Sequence, residues 1–286
     1  MKNMCTSKTN LYCIIGDPIK HCQSPLIHNL AFNYLGIDSV FLAFSCNSET
    51  IPNVFDAIRT LDIKGGAITM PVKEMAMSFV DSIENDAKLI GSINVFKNDN
   101  GHIRGYNTDG LGVVRFLQSK NISYKNAVIV GAGGAGKSIA VQLALHGAQK
   151  IVICDKDNAT ATSLAANIND NVTTCSAIAS SASEPNLISL LNDANIMINA
   201  TPLGMHPLED FSVLNSFVGV PKNVVFMDCC YSPTQTKLMR LAEQNGFIAY
   251  NGHGMLLYQG AEAFKIWTSQ TYPLDFILSQ NFFEYI

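Results

Sequence analysis

Apolar and polar residues along the chain fall into short blocks that switch between strand and helix periods. Residues 11–16 (LYCIIG) form an apolar run stopped by Asp17-Pro18, which predicts a strand followed by a turn. Ser24-Pro25 then opens a helix, with Leu26, Leu30 and Phe32 near the 3.6-residue period. The same reading gives a strand over 40–44, an amphipathic helix over 51–61 and a strand over 65–70 that Pro71 stops. Strands alternating with helices predict an α/β fold built on a mostly parallel sheet.

A helix over 109–120 leads away from this first unit. Strand 126–130 then runs directly into a glycine-rich turn, helix 137–146 ends at Gly147, and strand 151–154 ends at Asp155. Strands over 196–199 and 224–227 and a helix over 236–245 complete a second α/β unit. A long helix over 255–268 returns to the first. The expected organisation is two α/β domains: a discontinuous one over 1–110 plus 254–286, and a Rossmann-type one inserted over 111–253.

Composition removes several function classes. The 286 residues suit two domains, and 48% hydrophobic with 15% charged residues supplies a core and argues against disorder. A net charge of −4 without any basic run excludes nucleic acid as a partner and a polybasic membrane patch. The most apolar long window, 127–148, is interrupted by glycines, Lys137 and Gln142, so no membrane span is expected. A polar N-terminus without a signal-peptide pattern points to the cytoplasm. The eight cysteines form no C-x-x-C pair, so most read as small buried hydrophobes in a reducing compartment, with Cys229-Cys230 the one pair that also admits a redox reading. The histidines lack metal-site spacing, and no metal is expected. His21 and His28 are expected to shape the N-terminal loop through local hydrogen bonds, and Trp267 to pack in a core or interface. Monomer and homodimer stay equally open.

Residues 131–138 (GAGGAGKS) satisfy two patterns at once. Gly131, Gly133 and Gly136 fit the dinucleotide fingerprint G-x-G-x-x-G, with Asp155 placed to bind a ribose hydroxyl 24 positions after Gly131. The same residues fit the phosphate-loop pattern through Lys137 and Ser138, and the strand ending in Asp228 could supply the magnesium ligand of an ATPase or kinase. Both put backbone N–H groups and a helix N-terminus against phosphate. The loop alone leaves the two open.

Seven segments, in order and at suitable spacing, resemble the shikimate dehydrogenase family over nearly the whole chain. They are 16–29 (GDPIKHCQSPLIHN), 68–74 (ITMPVKE), 91–94 (GSIN), 105–110 (GYNTDG), 199–205 (NATPLGM), 228–233 (DCCYSP) and 252–259 (GHGMLLYQ). The resemblance implies a reversible oxidation of a ring hydroxyl to a ketone with hydride passed to a nicotinamide, interconverting shikimate and 3-dehydroshikimate in aromatic amino acid biosynthesis. It assigns catalysis to Lys73 with Asp109, as a proton-relay and orienting pair, since an ordinary lysine near pKa ~10.4 is a poor base at neutral pH. Substrate contacts fall to Cys22, Ser24 and Tyr231 for the carboxylate, and to Thr69, Asn94, Asp109 and Gln259 around the ring. Gly131, Ala132, Gly133, Gly134, Ala135, Asp155, Lys156, Thr201, Cys229 and Gly252 would meet the cofactor.

Two departures bear on the substrate. The family usually carries serine where this chain has Cys22, and often asparagine where it has Ala67. A thiol is a weak donor, so quinate or another cyclic polyhydroxy carboxylate stays open beside shikimate. A third departure bears on the cofactor. Asp155-Lys156-Asp157 stands where members using NADP carry an arginine-containing segment, so NAD is the expected preference with NADP tolerated.

Overall fold

The computed structural model describes residues 5–20 and 22–280. The chain divides into two compact units, Met1–Thr108 with Gln259–Ile286, and Asp109–Tyr258.

The first unit contains β1 (Asn10–Gly16), α1 (Ser24–Leu35), β2 (Ser39–Ser45), α2 (Ile51–Thr60), β3 (Gly65–Ile68), β4 (Ser82–Ile83), α3 (Asn85–Ile90), β5 (Val95–Asp99) and β6 (His102–Tyr106). Its sheet has the order β2-β1-β3-β5-β6-β4. β1 pairs in parallel with β2 and β3, as strand–helix alternation requires. The hairpin β5–β6 escaped the sequence reading, and it makes this sheet mixed, because β5 runs antiparallel to both β3 and β6. Its turn is Asn100-Gly101, both at positive φ (54° and 93°), the backbone that a tight hairpin needs and that this dipeptide supplies. Ile15, Phe55, Ile58, Ile68 and Phe96 fill the core.

His28 departs from expectation. It is 2% exposed, not on a loop, and its ring packs against Phe41, Phe264, Trp267 and Tyr272. Its Nδ1 has no hydrogen-bond partner, and neither has the buried Tyr272 hydroxyl. The cause is position: His28 lies on the same buried face of α1 as Ser24, Ile27, Ala31 and Phe32. Burial pushes its pKa down to about 3. His21 lies outside the described residues. Trp267 does pack in the core, donating from Nε1 to the Phe96 carbonyl at 3.0 Å.

The second unit contains α4 (Asp109–Ser119), β7 (Asn126–Val130), α5 (Gly134–Leu145), β8 (Lys150–Asp155), α6 (Asn158–Asn171), β9 (Ser176–Ser181), α7 (Glu184–Leu190), β10 (Ile196–Asn199), β11 (Val225–Asp228), α8 (Lys237–Gln244) and β12 (Ala249–Tyr250). α9 (His253–Thr268) begins here and ends in the first unit, which also holds α10 (Leu274–Ser279). Every strand pair of the second sheet is parallel, in the order β12-β11-β10-β7-β8-β9. The runs in β7, β8 and β10 are buried almost throughout, which is the pattern of strands covered on both faces. The chain proceeds outward from β7 through β8 and β9, then restarts on the other side at β10. The crevice between β7 and β10 is therefore a topological switch point, where open parallel sheets bind ligands. Among the described residues, no helix is long and apolar enough to cross a membrane.

Candidate active site

At the carboxyl end of β7 the chain turns through Gly131 at φ +105°, a conformation that favours glycine. A Cβ on Gly131 would also come within 2.9 Å of the Ala200 backbone, and one on Gly136 would strike the Gly131 carbonyl. These two glycines bring α5 tightly onto the turn. Gly133 and Gly134 differ: a Cβ on either would meet nothing within 4 Å, so their backbone faces open space. The helix starts at Gly134, three residues before the position periodicity gave, so its first amides lie inside the glycine loop.

Gly131 and Gly133 line a cavity of about 570 Å³, within the usual range for small-molecule sites, together with Asp155, Lys156, Thr201 and Glu184. Asp155 accepts from the Ala132 amide through Oδ2 at 2.6 Å and from the Asp157 amide through Oδ1 at 2.9 Å. Asp157 itself caps α6, accepting from Ala159 N and Thr160 Oγ1, and these bonds hold its carboxyl below the usual range. Lys156 is exposed. Thr201 is held by Asn199, whose Oδ1 accepts from its amide at 3.0 Å and from its hydroxyl at 2.7 Å. Gly252 packs on Cys229: its amide donates to the Cys230 carbonyl at 2.8 Å, and a Cβ there would strike the Cys229 carbonyl. Burial pushes both thiols of the Cys229-Cys230 pair up, that of Cys230 to about 11, so the pair packs as neutral thiols. Asp109 opens α4 and is nearly buried, and Tyr231 is exposed beyond Cys230.

The phosphate-loop reading fails on two side chains. Ser138 is fully buried and its Oγ accepts from the Gly110 amide at 2.7 Å. Asp228 is also fully buried, accepting from Thr236 Oγ1 at 2.8 Å, Cys230 N at 3.0 Å and Asn199 Nδ2 at 3.2 Å. Neither side chain lines the cavity. Both are structural links between segments of the unit rather than magnesium ligands.

In the first unit, a polar cluster gathers at the ends of β3, β5 and β6. Asn94 is 3% exposed, and its Oδ1 accepts from the Thr108 amide at 2.7 Å. Its Nδ2 donates to Thr108 Oγ1 at 3.1 Å and to Gln259 Oε1 at 3.4 Å. Thr108, within the GYNTDG segment, joins the site through these bonds, a role that no single residue of that segment marks in the sequence. Backbone bonds fasten neighbouring segments to this cluster. Ile68 N donates to the Asn94 carbonyl at 2.7 Å, placing Thr69 beside it, and Ile93 N donates to the Lys73 carbonyl at 3.1 Å. Lys73 follows the fully buried Val72, which anchors this turn in the core. At the start of α1, Ser24 is buried and accepts from Cys22 Sγ at 3.4 Å.

A parallel sheet with a glycine loop, a carboxylate ending the second strand and a cavity at the switch point defines a dinucleotide-binding oxidoreductase unit. Residues 14–96 match the shikimate dehydrogenase substrate binding domain, residues 252–279 the shikimate 5'-dehydrogenase C-terminal domain, and residues 127–249 the saccharopine dehydrogenase NADP binding domain. A shikimate dehydrogenase (NADP(+)) of Alkaliphilus metalliredigens is 41% identical over 94% of this chain and 95% of its own. A quinate/shikimate dehydrogenase of Escherichia coli is 34% identical over 95% and 96%. The structure of shikimate 5-dehydrogenase from Listeria monocytogenes, in complex with shikimate and NAD, is similar at a TM-score of 0.93, with 35% identity and 99% of each chain covered. The chain belongs to the shikimate dehydrogenase family.

Proposed function

We propose that this oxidoreductase interconverts shikimate and 3-dehydroshikimate, with NAD as its preferred cofactor. Unit 2 holds the dinucleotide and unit 1 recognises the ring acid. The cavity at the switch point, with Gly131 and the open Gly133 at one wall and Asp155 at another, carries this reading. The α5 amides meet the diphosphate and the Asp155 carboxylate meets a ribose hydroxyl. Lys156 in place of an arginine lacks a bidentate fork for a 2′-phosphate, and the carboxylates of Asp155 and Asp157 disfavour that dianion. Thr201, Cys229 and Gly252 complete the dinucleotide contacts. A nicotinamide dinucleotide held there would supply the acceptor for hydride from the carbinol carbon.

The residues supply the remaining work. Lys73 Nζ takes the hydroxyl proton on oxidation and returns it on reduction, with Asp109 orienting it. Thr69, Asn94 and Gln259 hold ring hydroxyls, with Thr108 fixing the Asn94 amide. Ser24, Cys22 and Tyr231 hold the carboxylate. A second reading, quinate oxidation, stands beside it because Cys22 and Ala67 take the places where the family usually carries serine and often asparagine.

Lys73→Ala tests the assignment. Loss of turnover by about 10²–10⁴-fold with dinucleotide binding retained supports it, and retained turnover refutes it.

A further inference from the structure

Glu184 lines the cofactor cavity at the first turn of α7, yet nothing in the family motifs points to it. Its Oε1 accepts from the amides of Asn215 and Ser216, the second at 2.6 Å. Those amides belong to the long connection after β10, which leaves the sheet beside Thr201 and returns over the crevice to meet α7. Ser212 and Asn215 of this strap line the same cavity as Gly131, Asp155 and Glu184. The strap is fixed on its inner side as well: Leu214 and Phe217 are buried in the unit's core. Ser212 Oγ donates to the Leu214 carbonyl at 2.7 Å, giving the strap its local turn.

Two apolar plugs alone would fix the strap's depth but leave the exposed Asn215 free to swing. The two bonds to one carboxylate oxygen fix that remaining degree of freedom. We infer that Glu184 is a positioning residue for the dinucleotide: it pins the 212–216 strap as the wall of the cavity beyond Asp155 and thereby sets cofactor affinity. The inference rests on the dinucleotide reading above. Its chemistry is specific, since one oxygen accepts both amides, so a carboxamide in the same place can still accept while a methyl group cannot. An ordered wall lowers the entropy lost on binding.

The experiment titrates NAD⁺ into the full chain by calorimetry, without substrate, for wild type, Glu184→Ala and Glu184→Gln. Glu184→Ala is expected to weaken binding by about tenfold, as for loss of bonds to a charged acceptor. Glu184→Gln is expected to restore binding to within about threefold. In turnover, KM for the dinucleotide rises in Glu184→Ala by more than kcat falls. Hydrogen exchange on the wild type gives a reading independent of any variant's folding, with slower exchange over 208–217 when NAD⁺ is present. Unaltered affinity in folded Glu184→Ala, or exchange over 208–217 indifferent to NAD⁺, overturns the inference alone. A wild-type chain that binds no dinucleotide removes the reading beneath it as well.

Discussion

The Asp155 carboxylate lies 2.6 Å from the Ala132 amide, so the residue that ends β8 also braces the glycine loop at the end of β7. One side chain therefore shapes the loop and presents charge to the cavity. Asp155→Ser is expected to lower kcat/KM for NAD⁺ by about tenfold or more and to move the NAD/NADP ratio toward NADP, because the hydroxyl acceptor and the repulsive charge go together. Steady-state kinetics with both cofactors checks this. An unchanged ratio would place the discrimination elsewhere.

The bond from Cys22 Sγ to Ser24 Oγ puts a weak donor beside a buried hydroxyl at the start of α1. Restoring the hydroxyl at 22 should strengthen recognition of a carboxylate. Cys22→Ser is expected to lower KM for shikimate by up to about tenfold, the scale of a hydrogen bond to a charged group. The KM for NAD⁺ is the internal control and should stay constant.

Lys137 and Ser138 distinguish the family reading from a phosphate loop. Lys137→Ala is expected to leave NAD⁺ affinity within about threefold, since Gly131 and Gly133 of the loop line the cavity and Lys137 does not. Neither protein should hydrolyse ATP with magnesium. Magnesium-dependent hydrolysis lost on this substitution would support the discarded alternative.

His28 makes stability depend on pH. Its folded pKa is lowered to about 3 from the ordinary imidazole value of 6.5, so between these values the unfolded chain binds the proton and the folded chain does not. Stability falls as pH drops through this window and is unaffected by this group above it. His28→Phe is expected to flatten the decline of Tm between those pH values and to cost little at neutral pH, because it removes a buried, unsatisfied Nδ1. Thermal melts across the window provide the check.

Much of this was legible in the sequence for physical reasons. The runs of β7, β8 and β10 are apolar in their middles because both faces are buried there, and Asp155 ends its strand where the fingerprint needs it. What escaped had weaker or misleading signals. Strand β9 reads SAIASS, with little large apolar surface to mark it. Gly134 begins a helix although propensity disfavours glycine there. His28 reads as polar, yet its place among Ile27, Ala31 and Phe32 puts it on the buried face. Thr108 and Glu184 bond to residues distant in the chain, which no local pattern encodes.

The most direct test follows NAD(P)H formation at about 340 nm with shikimate and then quinate, each with NAD⁺ and with NADP⁺. Reduction is expected with shikimate, at a higher kcat/KM for NAD⁺ than for NADP⁺. A folded chain that reduces neither cofactor with either acid would contradict it.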